Sequence, residues 1–149
     1  MTKEFKLEIG AYLEAIDMPE IFRKRVFMIY EFYHKICPEE IKSVFVTDYL
    51  NEDGTRQYEN LWFFSEKCIM EAKQFITKDD FDIMQIKKIT SYMEIQKENY
   101  DFNKATEKSK ISLFFGLKIA IQCQIKASKE NCDYLKEIIL KYFIPNLMK

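Results

Sequence analysis

The stretch "LKIAIQCQIKASKENCDYLKEIILKYFIP", positions 117–145, constrains the fold more than any other because its apolar period changes within it. Up to Ala127 the apolar residues recur at every second position, with Ile119, Ile121, Cys123, Ile125 and Ala127 on one face and Ala120, Gln122, Gln124 and Lys126 on the other. That alternation predicts a strand buried on one side and wet on the other. From about Lys129 the period becomes helical, and Leu135, Ile138, Ile139 and Tyr142 form a stripe. Ser128 suits the N-cap, Glu130 suits the positive end of the helix dipole, and Pro145 predicts an end near Phe143. A strand that runs into a helix without a linker implies a helix folded straight back onto its sheet.

The segments upstream share the short period. "KSVFVTDYL", "QYENLWFF", "CIMEAKQFI", "FDIMQI", "KITSYMEIQKENY" and "ISLFF" precede the last strand, giving about seven in all. "NEDGT" carries an Asp-Gly hairpin signal, "TKDD" is a second turn, and "DFNKATEKSK" is a polar loop. Gly116 is expected to take a positive φ in a tight turn. No helix separates these strands, so antiparallel pairing is expected.

Two helices come first. Phe5, Ile9, Tyr12, Leu13 and Ile16 keep helical spacing in the first. The second is expected from Pro19 to Cys37, capped by Asp17, with Phe22, Val26, Ile29, Tyr33 and Ile36 as its core stripe. Phe27, Met28 and Phe32 fall off that stripe, so this helix needs cover on more than one side, from the first helix or from another molecule.

Strands followed by one amphipathic helix, with "NLWFFSEKCIMEA" similar to the second and third strands of bacterial members, resemble a pleckstrin-homology-like domain. The resemblance covers about Ile41 to Pro145 and rests on element order. It implies an α+β chain with N-terminal helices, then about seven antiparallel strands forming a partly open barrel closed by the C-terminal amphipathic helix. The expected organisation is a helical region at 1–40, on or beside the core, and the barrel with its helix at 41–149. Members that hold phosphoinositides carry a lysine on the first strand and a basic-x-Arg pair early in the second. Lys42 and Arg56 stand near those places and are the headgroup candidates. Tyr58 departs from the pattern, and Glu52 and Asp53 would repel a phosphorylated headgroup. Phosphoinositide binding is therefore not expected.

The composition narrows function further. Apolar residues make up 48% of the 149 and aromatics 15%, enough for one cored domain, and the net charge of -1 offers no field for nucleic acid or anionic lipid. Arginine occurs only at Arg23, Arg25 and Arg56, which argues against a phosphate-reading surface. Cys37, Cys68, Cys123 and Cys132 show no C-x-x-C spacing, and His34 alone completes no zinc set. They read as buried thiols, and His34 as a residue suited to a helix C-terminus. "DDFD" at 79–82 reads as a solvated turn, since the glycine and glutamate of a calcium loop are missing. The "MTKEFKLEIG" start has no apolar signal core, and no apolar run approaches the about 20 residues of a membrane span. A cytoplasmic protein is expected.

No catalytic motif is found, and no metal or cofactor is expected. Leu61 and Phe63 share one face of the second strand, Trp62 and Phe64 the other, and both faces need cover. The reading is a non-catalytic protein-interaction or scaffolding module. Its expected surface is built from Phe27, Met28, Phe32 and Trp62, pairing as a homodimer or with a protein partner. The alternative is a small α+β enzyme or ligand carrier with a cone-shaped, nuclear-transport-factor-like sheet. That needs an interior pocket with a polar dyad, such as Asp48 or Asp82 with a tyrosine.

Overall fold

Phe63 sits between the rings of Tyr30 and Tyr33, 5.8 and 4.9 Å away and edge-on to both, while its neighbour Phe64 stacks on Tyr142 at 4.9 Å. The two rings point to opposite faces of one strand, as strand alternation demands. They show the layering of the whole molecule. In the computed structural model, which describes residues 2–36, 39–76, 83–87, 92–116 and 122–147, helices α1 (Lys3–Ala15) and α2 (Glu20–Ile36) precede strands β1 (Ser43–Leu50), β2 (Arg56–Phe64), β3 (Cys68–Ala72) and β4 (Ile83–Lys87). Strands β5 (Tyr92–Glu98), β6 (Lys110–Gly116) and β7 (Gln122–Ser128) follow, then α3 (Asn131–Ile138), a π-helical turn Ile139–Phe143 and α4 (Ile144–Leu147).

The chain is α+β, but the expected partly open barrel is not formed. Strands β1–β4 make one antiparallel sheet in the order β1-β2-β3-β4, and β5–β7 make a second in the order β5-β6-β7. Among the described residues no ladder joins the two sheets. The reason lies at the edge of β1, which is close to β7. The Val46 N–H donates to the Tyr12 hydroxyl at 2.9 Å, and the Val46 carbonyl accepts from Asn131 Nδ2 at 2.9 Å. Side chains occupy the backbone groups that a closing strand would need, and the register of β1 slips between Val46 and Asp48. The short, broken C-terminal helix closes no barrel either. Tyr142 and Phe143 lie against Phe64, and Phe143 against Phe115, so the helix joins the core between the sheets.

The four-stranded sheet is therefore covered twice. Leu61 and Phe63 face α2, and Trp62 and Phe64 face the second sheet and the C-terminal helix; all four are buried. In β7, Cys123, Ile125 and Ala127 are buried while Gln122 and Gln124 are exposed, as the alternation implies. The helical stripe Leu135, Ile138, Ile139 and Tyr142 is buried too.

Four local expectations are corrected. Asp17 does not cap α2; it occupies a turn at φ 58°, and the Pro19 carbonyl accepts from Phe22 and Arg23 instead. Ser128 is not the N-cap of α3, which begins at Asn131 after Lys129 at φ 51°. The helix does not stop at Phe143. Ile144 stays helical at φ -57° and ψ -47° before Pro145, and the wider π turn relieves the clash that a proline makes with the carbonyl four residues back. Gly116 has no positive φ; it ends β6 opposite Tyr92, whose ring would lie 2.1 Å from an added Cβ.

Candidate functional site

Among the described residues, polar or exposed apolar side chains gather around Asp48, on the outer face of α2 and beside the start of β1, as well as at smaller polar clusters such as Tyr100 with Asp133. The first is a buried polar junction around Asp48. Its carboxylate accepts from the Ser128 N–H at 3.1 Å, from the Ser128 hydroxyl and from Asn131 Nδ2 at 2.6 Å. Arg56 Nε lies 3.0 Å from Asp48 Oδ2 as an ion pair without hydrogen-bond alignment. Arg56 Nη1 also donates to Glu130 and to the Ile16 carbonyl, each at 2.6 Å, and Nη2 to the Ser128 carbonyl at 3.1 Å. Tyr12 donates to Asn131 Oδ1 at 2.9 Å, and Tyr58 to the Ile16 carbonyl at 2.6 Å. Burial pushes the Asp48 carboxyl up from its ordinary range, against the pull of Asn131, Ser128 and Arg56. The junction thus ties the end of α1, β1, β2, β7 and the start of α3 together. Its donors and acceptors are aimed at one another, and neither groove described below is lined by Asp48.

Two sequence-derived candidates are explained by this junction. Arg56, read as a headgroup residue, is buried and spends its guanidinium on internal acceptors. Lys42 is exposed just before β1, whereas Arg56 pairs with Leu50 at the other end of that strand. Eight strand residues separate the two ends, roughly 26 Å at 3.3 Å each, so they do not face a common headgroup. Asp82 lies outside the described residues, as do "DDFD" and Cys37. Of the two aspartates named for a cone-shaped carrier, Asp48 is closed within the junction near Tyr12 and Tyr58; a different pair, Tyr100 donating to Asp133 at 2.7 Å, lines neither groove described below.

The second place is the outer face of α2. Ile21, Met28, Phe32 and Ile36 are 72%, 58%, 46% and 54% exposed. Their spacing of seven, four and four puts them on one side of the helix. Beside them a shallow groove of about 320 Å³ is lined by Ile21, Phe22, Lys24, Arg25, Met28 and Ile76. Phe27 is not part of this face. It is half-buried against the core, with Lys6 Nζ 5.7 Å from its ring centre, so α1 covers it. Trp62 is not part of it either: it is wholly buried, 6.0 Å from Phe115 and 6.5 Å from Phe64, and offers no surface. Ile36, read as a core residue, is instead exposed.

The third place is a groove of about 440 Å³ between α1, the start of β1 and the C-terminal helix, with Lys42, Ser43, Val44 and Phe45 as its floor. The sequence reading missed it, because its walls come from the two ends of the chain.

Elsewhere the titratable groups are structural. His34 stacks on Tyr30 at 6.2 Å near the end of α2. Cys123 and Cys132 are free thiols, and burial pushes Cys132 up to about 12. Among the described residues no three His, Cys, Asp or Glu side chains gather as a metal set, and no helix is long and apolar enough to cross a membrane. Comparison with protein-family models, curated proteins and solved structures finds no match.

Proposed function

We propose that the protein is a non-catalytic interaction module that assembles with a second copy of itself through the outer face of α2. The observation that carries this reading is the continuous stripe Ile21, Met28, Phe32 and Ile36 on a helix whose opposite side, Val26, Ile29, Tyr30 and Tyr33, is already buried. Each large apolar side chain on the stripe gains roughly 1.5–3 kcal/mol when buried. Symmetric two-fold pairing is the commonest way for a chain to cover such a face.

The charges beside the stripe favour antiparallel pairing about Met28. Lys24 and Glu31 lie on the same flank, one about a turn before Met28 and the other about a turn after, and both are exposed. A two-fold axis through Met28 sets Lys24 of each copy beside Glu31 of the other. Parallel pairing sends this flank to opposite sides of the seam in the two copies and forms no such pair. Lys24 also lies 3.7 Å from Glu20 on its own helix, so the new pair adds to an existing surface pair. The order of four strands, three strands and a terminal helix supports, also as a proposal, the likeness to pleckstrin-homology-like domains.

The test is a charge exchange read by sedimentation. Lys24→Glu alone should weaken self-association, and Lys24→Glu with Glu31→Lys should restore it. Self-association that is indifferent to both variants rejects this geometry.

A further inference from the structure

Among the described residues β1 is an edge strand, paired with β2 alone. The Val46 N–H and C=O point away from β2, since Tyr12 and Asn131 hold them. The two-residue repeat of a strand turns the N–H and C=O of Val44 the same way. No hydrogen bond with a described residue reaches those two groups. They open into the groove of about 440 Å³ between α1 and the C-terminal helix, within the roughly 300–1,000 Å³ typical of ligand sites.

The shape of the groove selects its occupant. Phe5 and Ile9 on one side, Tyr134 and Ile138 on the other, give apolar walls. α1 and the C-terminal helix flank this edge, and a second β1 would bring its own flanking helices with it, so a lone extended segment is the better-matched occupant. A donor and an acceptor on one strand edge are matched by the backbone of another extended chain, whereas the backbone of a helix is already satisfied. At the Val46 end, Tyr12 and Tyr134 meet edge-on at 4.7 Å and Asn131 fills the strand edge, so the groove is closed there.

Two lysines belong to the Ser43 end of the groove. Ser43 Oγ and Tyr142 Oη are 2.5 Å apart, and the residues that precede them, Lys42 and Lys141, are both exposed and both line the groove. Glu8 lies one turn from Tyr12, and Glu137 one turn from Tyr134, so acidic groups flank the middle of the groove. A ligand carboxylate is repelled there and attracted at the Lys42–Lys141 end.

We infer that this groove binds an extended peptide as an added strand on β1, its backbone paired with Val44 and a carboxylate held at the Lys42–Lys141 end. The carboxylate is the peptide's own C-terminus or an acidic side chain. The surface is separate from the α2 stripe, and the inference stands without it.

The experiment titrates the ¹⁵N-labelled full chain with a pool of random hexapeptides bearing free C-termini. Two further pools are amidated at the C-terminus or N-methylated at every second amide. The Val44 amide should shift and its hydrogen exchange should slow. N-methylation should weaken binding about tenfold or more through lost backbone hydrogen bonds. Lys42→Glu with Lys141→Glu should weaken binding of the free-carboxylate pool about tenfold, since both lysines are exposed and the change should leave folding intact. Val44→Pro removes the outward N–H, which an edge strand tolerates, and should abolish binding, whereas Val44→Ala, which trims the same core-packed side chain but keeps the N–H, should still bind. A Val44 amide that does not move at millimolar pool, or equal binding of the N-methylated pool, overturns the inference. Equal binding of an amidated pool that lacks acidic side chains overturns the carboxylate assignment.

Discussion

Asp48 and Ser128 stand eighty positions apart in the chain, and the Ser128 N–H and hydroxyl both donate to the one Asp48 carboxylate. This pair does the work of the missing ladder between β1 and β7. It also brings Arg56 and Asn131 into a buried cluster, where losing one partner is costly. Asp48→Ala should destabilise by about 3–5 kcal/mol, because it removes the wholly buried one of the two carboxylates that pair with Arg56 and leaves the Ser128 and Asn131 donors without their acceptor. Asp48→Leu with Arg56→Met should recover part of that loss. Ser128→Ala should cost about 1–3 kcal/mol through an unsatisfied acceptor. Urea unfolding of the three variants checks the order; an Asp48→Ala midpoint equal to that of the parent chain would place the cluster outside the folded core's stability.

Glu71 gives the chain a pH dependence of defined sign. It is buried beside Trp62 in the sheet register, accepts from Asn60 Nδ2 at 3.0 Å, and burial pushes its carboxyl up to about 7. The folded chain then holds this proton over a range in which the unfolded chain, with a pKa near 4.5, has released it. The Glu71 contribution to stability is thus fully present below about pH 4.5 and is lost as pH rises through about 7. The loss is at most about 3 kcal/mol. Glu71→Gln should flatten that slope and make the chain more stable than the parent at pH 8. Unfolding free energies measured from pH 4 to 8 decide it, and parallel curves for the two proteins would contradict the assignment.

Ile139 tests the C-terminal helix. It is buried at the start of the π turn, and Ile139→Ala should cost roughly 2–5 kcal/mol. A melting temperature within one degree of the parent would show that the site closes up or carries no packing.

The faces of the elements were legible in the sequence where one period runs unbroken. Cys123, Ile125 and Ala127 against Gln122 and Gln124, and the stripe Leu135, Ile138, Ile139 and Tyr142, follow from spacing alone because one side of each element is wet. What local rules missed depends on partners far away in the chain. Ser128 has the chemistry of a cap, but its acceptor is Asp48. Arg56 has the look of a surface cation, but Ile16, Ser128 and Glu130 close over it. Met28 and Phe32 were legible as exposed because they leave the buried stripe of their own helix. The burial of Trp62 and the cover over Phe27 required knowing which sheet and which helix lie opposite. The barrel was expected from a resemblance in element order, and that order carries no information about which edges pair.

The central claim is that the α2 stripe holds two copies together, and sedimentation equilibrium of the full chain tests it most directly. Pairing through this stripe gives a concentration-dependent mass that approaches twice the 18.0 kDa of one chain. Met28→Glu with Phe32→Glu, on an exposed face where the change should spare the fold, should hold the mass at that of one chain. A parent chain that stays at one-chain mass up to several hundred micromolar, or a double variant that dimerises as the parent does, would contradict the claim.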